Sequence, residues 1–339
     1  MKLSDFDYDL PARFIAQHPA EPRDSSRLLV LDRSTGLIRH RSFRDLPEYL
    51  DPGDTLVFNN SRVIPARLKG TIDEGERKAE ILLLKQLNPS TWEALVRPGR
   101  RLREGAYVKL SDRQGLQTKA TITGRHEDGT RVVEFSHPEA LEKMGEMPLP
   151  PYIKSHLEDT ERYQTVYSQI TGSAAAPTAG LHFTPGLLDG IHRRGVNLVF
   201  VTLHIGLDTF QPVRVENPEH HKIHTEYGQI TAEAAEVINS TRKAGKRVIA
   251  VGTTSVRLIE EASRTSETKP FAGQVGIFIL PGYHFRAVDA MLTNFHLPKS
   301  TLIMMVSAFA GRETILHAYE TAKAEGYRFY SFGDAMLIL

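Results

Sequence analysis

Residues 174–183, AAAPTAGLHF, join a run of small side chains to a hydroxyl and a histidine, just before a helix-start signal at Thr184-Pro185. Small residues bring little apolar surface to a core, and they let a second backbone or a ligand come close. Thr178, Gly180 and His182 are therefore candidate ligand contacts. Five further segments have the same character: 203–209 with His204, 252–255 with Thr253 and Thr254, 281–283, 293–296 with Asn294 and His296, and 333–334 with Asp334. Arg257 falls in the first turn of the helix that follows Thr254, where a cation opposes the helix dipole. It calls for an anionic partner, either Glu260 or Glu261 on the same helix or a carboxylate or phosphate of a ligand.

The run His220-His221-Lys222-Ile223-His224-Thr225-Glu226 concentrates titratable groups. Alternate residues of an extended segment face one side, which pairs His224 with Glu226 for acid–base work. A metal site using His221 and His224 needs a helical segment that Pro218 disfavours, and a solvated polar loop is the plain alternative. Asn59, Asn60 and Arg62 close a strand; paired amides there either satisfy a tight turn or meet a ligand at a domain junction. Tyr163 and Tyr167 are base-stacking or packing residues. Arg97, Arg100, Arg101 and Arg103 place four arginines within seven residues on a turn. No core or capping requirement accounts for them, which favours contact with a phosphate backbone. The cations at 242, 243, 246 and 247 bracket a helix C-terminus, where the dipole explains them. Fingerprints of dinucleotide sites, P-loops and zinc proteases are missing from the sequence.

These residues need elements to hold them. From about residue 196 the chain alternates strand-like and helix-like segments. Strands are expected at 196–201, 247–251 and 275–280, with a fourth ending near Asn294 and a fifth at 327–332. Helices are expected from Pro185, capped by Thr184, and from Thr231 to Lys243, then one after Ser300 that Gly311 interrupts or ends, and a further one running to Gly326. This rhythm describes an α/β domain with largely parallel strands, whose ligands lie at the strands' carboxyl ends. Residues 79–84, 91–96, 107–110, 119–122 and 131–135 instead form short alternating runs separated by turns, the pattern of a small antiparallel barrel. The expected architecture is an α/β main domain, residues 1–60 and 150–339, with an inserted antiparallel β-barrel domain, residues 61–149.

The chain has 339 residues, long enough for two cores. Its net charge of +1 announces no global basic field, so a polyanion partner must be met by a local patch. The absence of cysteine excludes disulfides, thiolate nucleophiles and zinc–thiolate sites, and suits a reducing cytoplasm. The N-terminus lacks a signal-peptide pattern, and the longest apolar run, near 302–310, is too short for a membrane span.

With these segments in place, the chain resembles the S-adenosylmethionine:tRNA ribosyltransferase-isomerase family of queuosine biosynthesis. The resemblance runs through 58–62 with 65–67, 147–153, 161–167, 172–183, 204–213, 223–226, 250–254, 280–285, 292–302 and 327–336. It departs at Asp208, where the family carries a small residue, and at Ile223 and Thr225, which replace Met and Ser. The resemblance implies transfer of the ribosyl part of S-adenosylmethionine onto the 7-aminomethyl-7-deazaguanine of a tRNA wobble position. Rearrangement to an epoxycyclopentanediol follows, with release of adenine and methionine. It implies no metal and no cofactor beyond S-adenosylmethionine as co-substrate, and a cytoplasmic monomer. The catalytic set it suggests is Glu226, His224, His182 and Asp334. The substrate-binding set is Asn59, Asn60, Arg62, Thr178, Gly180, His204, Thr253, Thr254, Arg257, Asn294 and His296, while Arg97, Arg100, Arg101 and Arg103 meet tRNA. Two other readings use the same residues: a non-catalytic tRNA-binding protein, and a metal-dependent hydrolase built on His221 and His224.

Overall fold

Buried runs of branched and aromatic residues build the strands that carry the fold. The computed structural model describes residues 1–72, 77–111, 115–127, 129–206, 213, 215–221, 223 and 225–339. It opens with β1 (Arg27–Leu31), β2 (Ile38–Ser42), β3 (Thr55–Asn59) and a short β4 (Ser61–Val63). Next come β5 (Arg67–Ile72), β6 (Lys78–Asn88), β7 (Thr91–Arg97), β8 (Tyr107–Ser111), β9 (Gln117–Arg125), β10 (Arg131–Phe135) and the one-turn α1 (Leu141–Met144). Then follow β11 (Ile170–Ser173), α2 (Pro185–Arg193), β12 (Asn197–Leu203), β13 (Glu226–Ile230), α3 (Ala232–Lys243), β14 (Val248–Val251) and α4 (Thr253–Ala262). The chain closes with β15 (Phe271–Val275), β16 (Ala290–Asn294), α5 (Thr301–Ala310), α6 (Arg312–Ala324) and β17 (Ala335–Ile338).

Two compact units result. One comprises Met1–Ser61, Pro151–Ile170 and Pro177–Leu339; the other comprises Arg62–Pro150 with Thr171–Ala176. In the larger unit nine strands form one sheet in the order β15-β13-β12-β3-β14-β16-β17-β1-β2. β12, β3, β14 and β16 run parallel, as do β17 and β1. The other four of the eight pairings are antiparallel, so the sheet is mixed rather than largely parallel. The cause at β17 is visible in the connection. A single crossover helix returns a chain to the edge where the previous strand began, but here α5 and α6 pack as a pair about Gly311, whose φ is 86°. The pair brings the chain back to the end where β16 stopped, and Ala335 pairs with Asn294 in reverse.

Both faces of this sheet are covered. Leu28, Leu56, Phe58, Val251 and Leu292 pack on one face with Phe43, Phe183 and Ile191. Leu29, Val57, Ala250 and Met291 pack on the other with apolar residues of α3 to α6. Caps follow the sequence signals: Thr184, Thr231 and Ser300 accept from the backbone N–H groups of Leu187, Ala234 and Ile303. Two expected strands move. β15 ends at Val275, leaving 276–280 outside any strand. Residues 327–332 form a loop, because Tyr330 adopts a φ of 71° that a strand does not admit, and β17 begins only at Ala335. Among the described residues no helix is long and apolar enough to cross a membrane.

The smaller unit is a closed barrel of order β10-β7-β6-β5-β8-β9, filled by Leu68, Ile81, Val108, Ile122, Val133 and their neighbours. It has one strand more than the alternating runs suggest. β5, with sequence RLKGTI, hides its identity behind Gly70, where a Cβ would lie 2.3 Å from the Lys109 carbonyl oxygen and 2.7 Å from Val108. The barrel needs that close approach to seal β5 against β8. Gly70→Ala is expected to destabilise the barrel by about 1–3 kcal/mol through overpacking. Denaturant unfolding checks this, and an unchanged midpoint would contradict it.

Candidate active site

Glu226 opens β13, whose inward positions are Glu226, Gly228 and Ile230. Gly228 brings the neighbouring helix close: a Cβ there would sit 2.7 Å from Leu258 of α4 and 2.8 Å from Val275. With α4 that near, Arg257 reaches Glu226, and its Nη1 donates to Oε2 at 2.5 Å. The other oxygen, Oε1, accepts from the Gly206 backbone N–H at 2.9 Å. Both side chains are buried, at 7% and 6% exposure. The pair lines a cavity of about 60 Å³, walled also by Thr225 and by Ile277, Phe278, Ile279 and Met305. Among the described residues the anionic partner of Arg257 is thus Glu226, on the neighbouring strand, and neither glutamate on its own helix. Glu260 instead accepts from the backbone N–H groups of Arg286, Ala287 and Val288 and from the Tyr283 hydroxyl.

A second cluster occupies the opposite face. Asn294 shares the face of Leu292, and the 3-10 turn Thr178–His182 packs against it. Thr178 Oγ1 donates to Asn294 Oδ1 at 2.9 Å, and Asn294 Nδ2 donates to His182 Nε2 at 3.1 Å. That leaves His182 Nδ1 to donate to Ser26 Oγ at 2.7 Å, and Ser26 donates to the Arg23 carbonyl at 3.3 Å. The direction of this chain requires a neutral imidazole. Burial, with the Arg328 and Arg23 guanidinium groups nearby, pushes the His182 pKa down to about 3. Gly180 is fixed by the same packing, since a Cβ there would lie 1.9 Å from the Tyr167 hydroxyl.

The other candidates are placed as follows. Asp334 accepts from the Arg27 and Arg328 backbone N–H groups at 3.0 and 2.8 Å, the position of a loop cap, and it does not line the Glu226–Arg257 cavity. Asn59 splints two diverging strands, its amide bonding both the carbonyl and the N–H of Leu203. Asn60 accepts from Thr202, and Arg62 sits half-buried on β4. His204, half-buried beside Tyr227, has its pKa lowered by burial. His296 bonds Thr293 through Nε2 at 2.8 Å, and burial pushes its pKa down to about 3. Tyr163 and Tyr167 pack against Phe332 and Phe58 rather than presenting free ring faces. Thr253 and Thr254 open α4. His224 and Asp208 lie outside the described residues. Among the described residues no group of three or more histidine, aspartate or glutamate side chains converges as a metal site.

In the barrel unit Arg97, Arg100, Arg101 and Arg103 are all exposed, while Leu102 between them is buried in the barrel core. Arg131, only 5% exposed, braces this loop: Nε donates to the Leu102 carbonyl at 2.9 Å and Nη2 to that of Gly99 at 3.0 Å. The loop therefore presents its cations from a fixed frame. Composition does not reveal Arg131, Ser26 or Gly228 in these supporting roles, because each depends on a neighbour distant in sequence.

A profile of the family described as "Queuosine biosynthesis protein" matches residues 3–338. S-adenosylmethionine:tRNA ribosyltransferase-isomerases of Symbiobacterium thermophilum, Desulfitobacterium hafniense and Dehalococcoides mccartyi are 55%, 54% and 52% identical to this chain, each over 100% of both sequences. The crystal structure of S-adenosylmethionine tRNA ribosyltransferase from Thermotoga maritima is similar at 40% identity and a TM-score of 0.58, covering 99% of this chain and 100% of that one.

His182 and His296 are neutral when folded but take up protons below about pH 6.5 when unfolded. Each leaves stability untouched above that pH and erodes it as the pH falls from 6.5 toward 3, by about 1.4 kcal/mol per pH unit. His182→Gln is expected to remove one such slope. Urea unfolding between pH 7 and 4.5 measures it; parallel stability curves for wild type and variant would contradict the assignment.

Proposed function

The chain belongs to the queuosine biosynthesis protein family, and from that premise we propose how its residues divide the work of a S-adenosylmethionine:tRNA ribosyltransferase-isomerase. It is an enzyme that transfers and isomerises the ribosyl moiety of S-adenosylmethionine onto tRNA. The readings as a non-catalytic tRNA binder or a metal-dependent hydrolase are set aside, because relatives of full length and over half identity carry the transferase-isomerase name.

The acceptor is the aminomethyl group of a deazaguanine at the wobble position, and the products beside modified tRNA are adenine and methionine. The sulfonium acidifies the adjacent 5′ carbon, so a base that removes its proton starts the rearrangement without a metal or second cofactor. Departing adenine needs a proton, and the attacking ammonium must lose one. Glu226 is the base or charge stabiliser at the sulfonium, with Arg257 holding its carboxylate in place. The observation that carries this is the buried Glu226–Arg257 pair lining a cavity. A carboxylate 4 Å from a cation gains about 4 kcal/mol at an effective dielectric of 20. His224, two residues before Glu226, is the second candidate for proton transfer. The network of Thr178, Asn294, His182 and Ser26 shapes the opposite wall of the strand ends, with Thr253 and Thr254 at the rim between. Asn59, Asn60, His204 and His296 hold the strand ends that carry these groups. The exposed arginines 97, 100, 101 and 103 grip tRNA phosphates. The enzyme works as a cytoplasmic monomer, residues 61–149 forming its RNA-contacting insertion.

Incubation with S-adenosylmethionine and precursor tRNA, followed by chromatography of released adenine, tests this reading; no adenine from the wild-type protein would refute it. In the same assay Glu226→Gln is expected to lose about a hundred- to ten-thousandfold in single-turnover rate, with tRNA binding retained. A variant keeping more than about a tenth of the rate would return Glu226 to a structural role.

A further inference from the structure

The N-terminus of α4 carries a feature that the proton-transfer scheme leaves unused. α4 spans ten residues, and its cap residue, Gly252, has φ 88° and no side chain to accept from the first turn. The first N–H groups of any helix lack intrahelical acceptors and carry partial positive charge. In most helices a side-chain oxygen at the cap answers them; here a glycine stands in that place. The two hydroxyls of this first turn also differ. Ser255 Oγ makes the ordinary bond back to the Val251 carbonyl at 2.8 Å. Thr254 Oγ1, on a residue 8% exposed, is buried and has no hydrogen-bond partner among the described residues. It lies over the cap, 3.5 Å from where a Cβ on Gly252 would stand, and the next nearest atom to that point is the Ala179 methyl at 3.7 Å. A hydroxyl donor, a helix N-terminus and a wall of glycine and alanine make a small anion cradle.

We propose that this cradle binds the methionine carboxylate of S-adenosylmethionine, a reading that rests on the function assigned above. The alternative anion, a tRNA phosphate, is disfavoured by spacing. Thr253 and Arg257 are one turn apart on α4, about 6 Å at 1.5 Å per residue. Four bonds separate the methionine carboxyl carbon from its sulfur, about the same span at ordinary bond lengths. A carboxylate seated on the first turn therefore brings the sulfonium toward the Glu226–Arg257 pair. Gly252 fits the role: it leaves the space open, and its positive φ excludes a side chain that would fill it. The small residues of the segment beginning at Pro177 then keep the opposite wall low.

The test compares S-adenosylmethionine with its decarboxylated analogue in wild type, Thr254→Val and Thr254→Ser. A hydroxyl donating to a charged acceptor is worth about tenfold or more in binding. Thr254→Val is expected to raise KM for S-adenosylmethionine by about that factor, leave KM for the decarboxylated analogue and for tRNA unchanged, and melt like wild type. Thr254→Ser should restore the discrimination. Equal effects on both sulfonium substrates, or none, would overturn the carboxylate assignment while adenine release by wild type leaves the enzyme's function standing. Weaker and less salt-dependent tRNA binding by Thr254→Val, with KM for S-adenosylmethionine unchanged, would likewise overturn it in favour of a phosphate. Wild-type protein that releases no adenine would remove this proposal together with its premise.

Discussion

A charge taken out of water must find a partner, and the larger unit is organised by how its buried carboxylates meet that constraint. Asp54, Glu226, Glu260 and Asp334 are all nearly or wholly buried. Asp54 accepts from the Asp51 and Arg247 backbone N–H groups and pairs with the Arg247 guanidinium. Burial works against that charge, but the Arg247 bonds and the backbone donors prevail and hold the Asp54 carboxyl below the usual carboxylate range. Glu260 gathers the backbone of residues 286–288, and Asp334 closes the loop from Arg328. Each of these three fastens loop backbone, Glu260 doing so from α4. Glu226 has a different setting: of the four, it alone lines the cavity, where it meets the Gly206 N–H and the Arg257 guanidinium. Position and not charge separates the catalytic candidate from the structural ones.

Backbone geometry then decides which groups can meet. Strand alternation sends Asn294 to one face of the sheet and Thr293, with its partner His296, to the other. The Asn294 face carries the hydrogen-bond relay around His182, which burial keeps neutral; the other face carries the ion pair and its cavity. α4 starts at the end of β14, so its first turn lies at the rim where the two faces join. Glycines set the tolerances: Gly228 admits α4 to the sheet edge, and Gly252 leaves its first turn open.

Much of this was legible in the residue order. The caps at Thr184, Thr231 and Ser300, the interruption at Gly311 and the clustering of polar segments at the ends of β12, β14 and β16 all follow from local chemistry. The reversal of β17 was not legible, since it depends on two helices packing as a pair. Residues 327–332 look like a strand by composition, and only the turn at Tyr330 excludes it. The pairing of Arg257 with Glu226 over Glu260 or Glu261 also escaped local reasoning. Helical spacing puts the latter two nearby, whereas the actual partner arrives through the β13–β15 register, which sets Glu226 opposite Val275. In the same way Asp334 reads as a free carboxylate until its two backbone donors are seen. Local rules find elements and candidate residues; long-range pairing decides which candidates share a site.

We propose that the buried pair serves chemistry at Glu226 and not stability. Removing one partner of a buried pair costs about 3–5 kcal/mol, while replacing both by uncharged groups of similar size is often close to neutral. The decisive measurement is the unfolding midpoint and single-turnover adenine release of Glu226→Gln combined with Arg257→Met. The double variant is expected to regain most of the stability lost by Glu226→Gln alone while its turnover stays at least about a hundredfold below wild type. Recovery of turnover along with stability would contradict it.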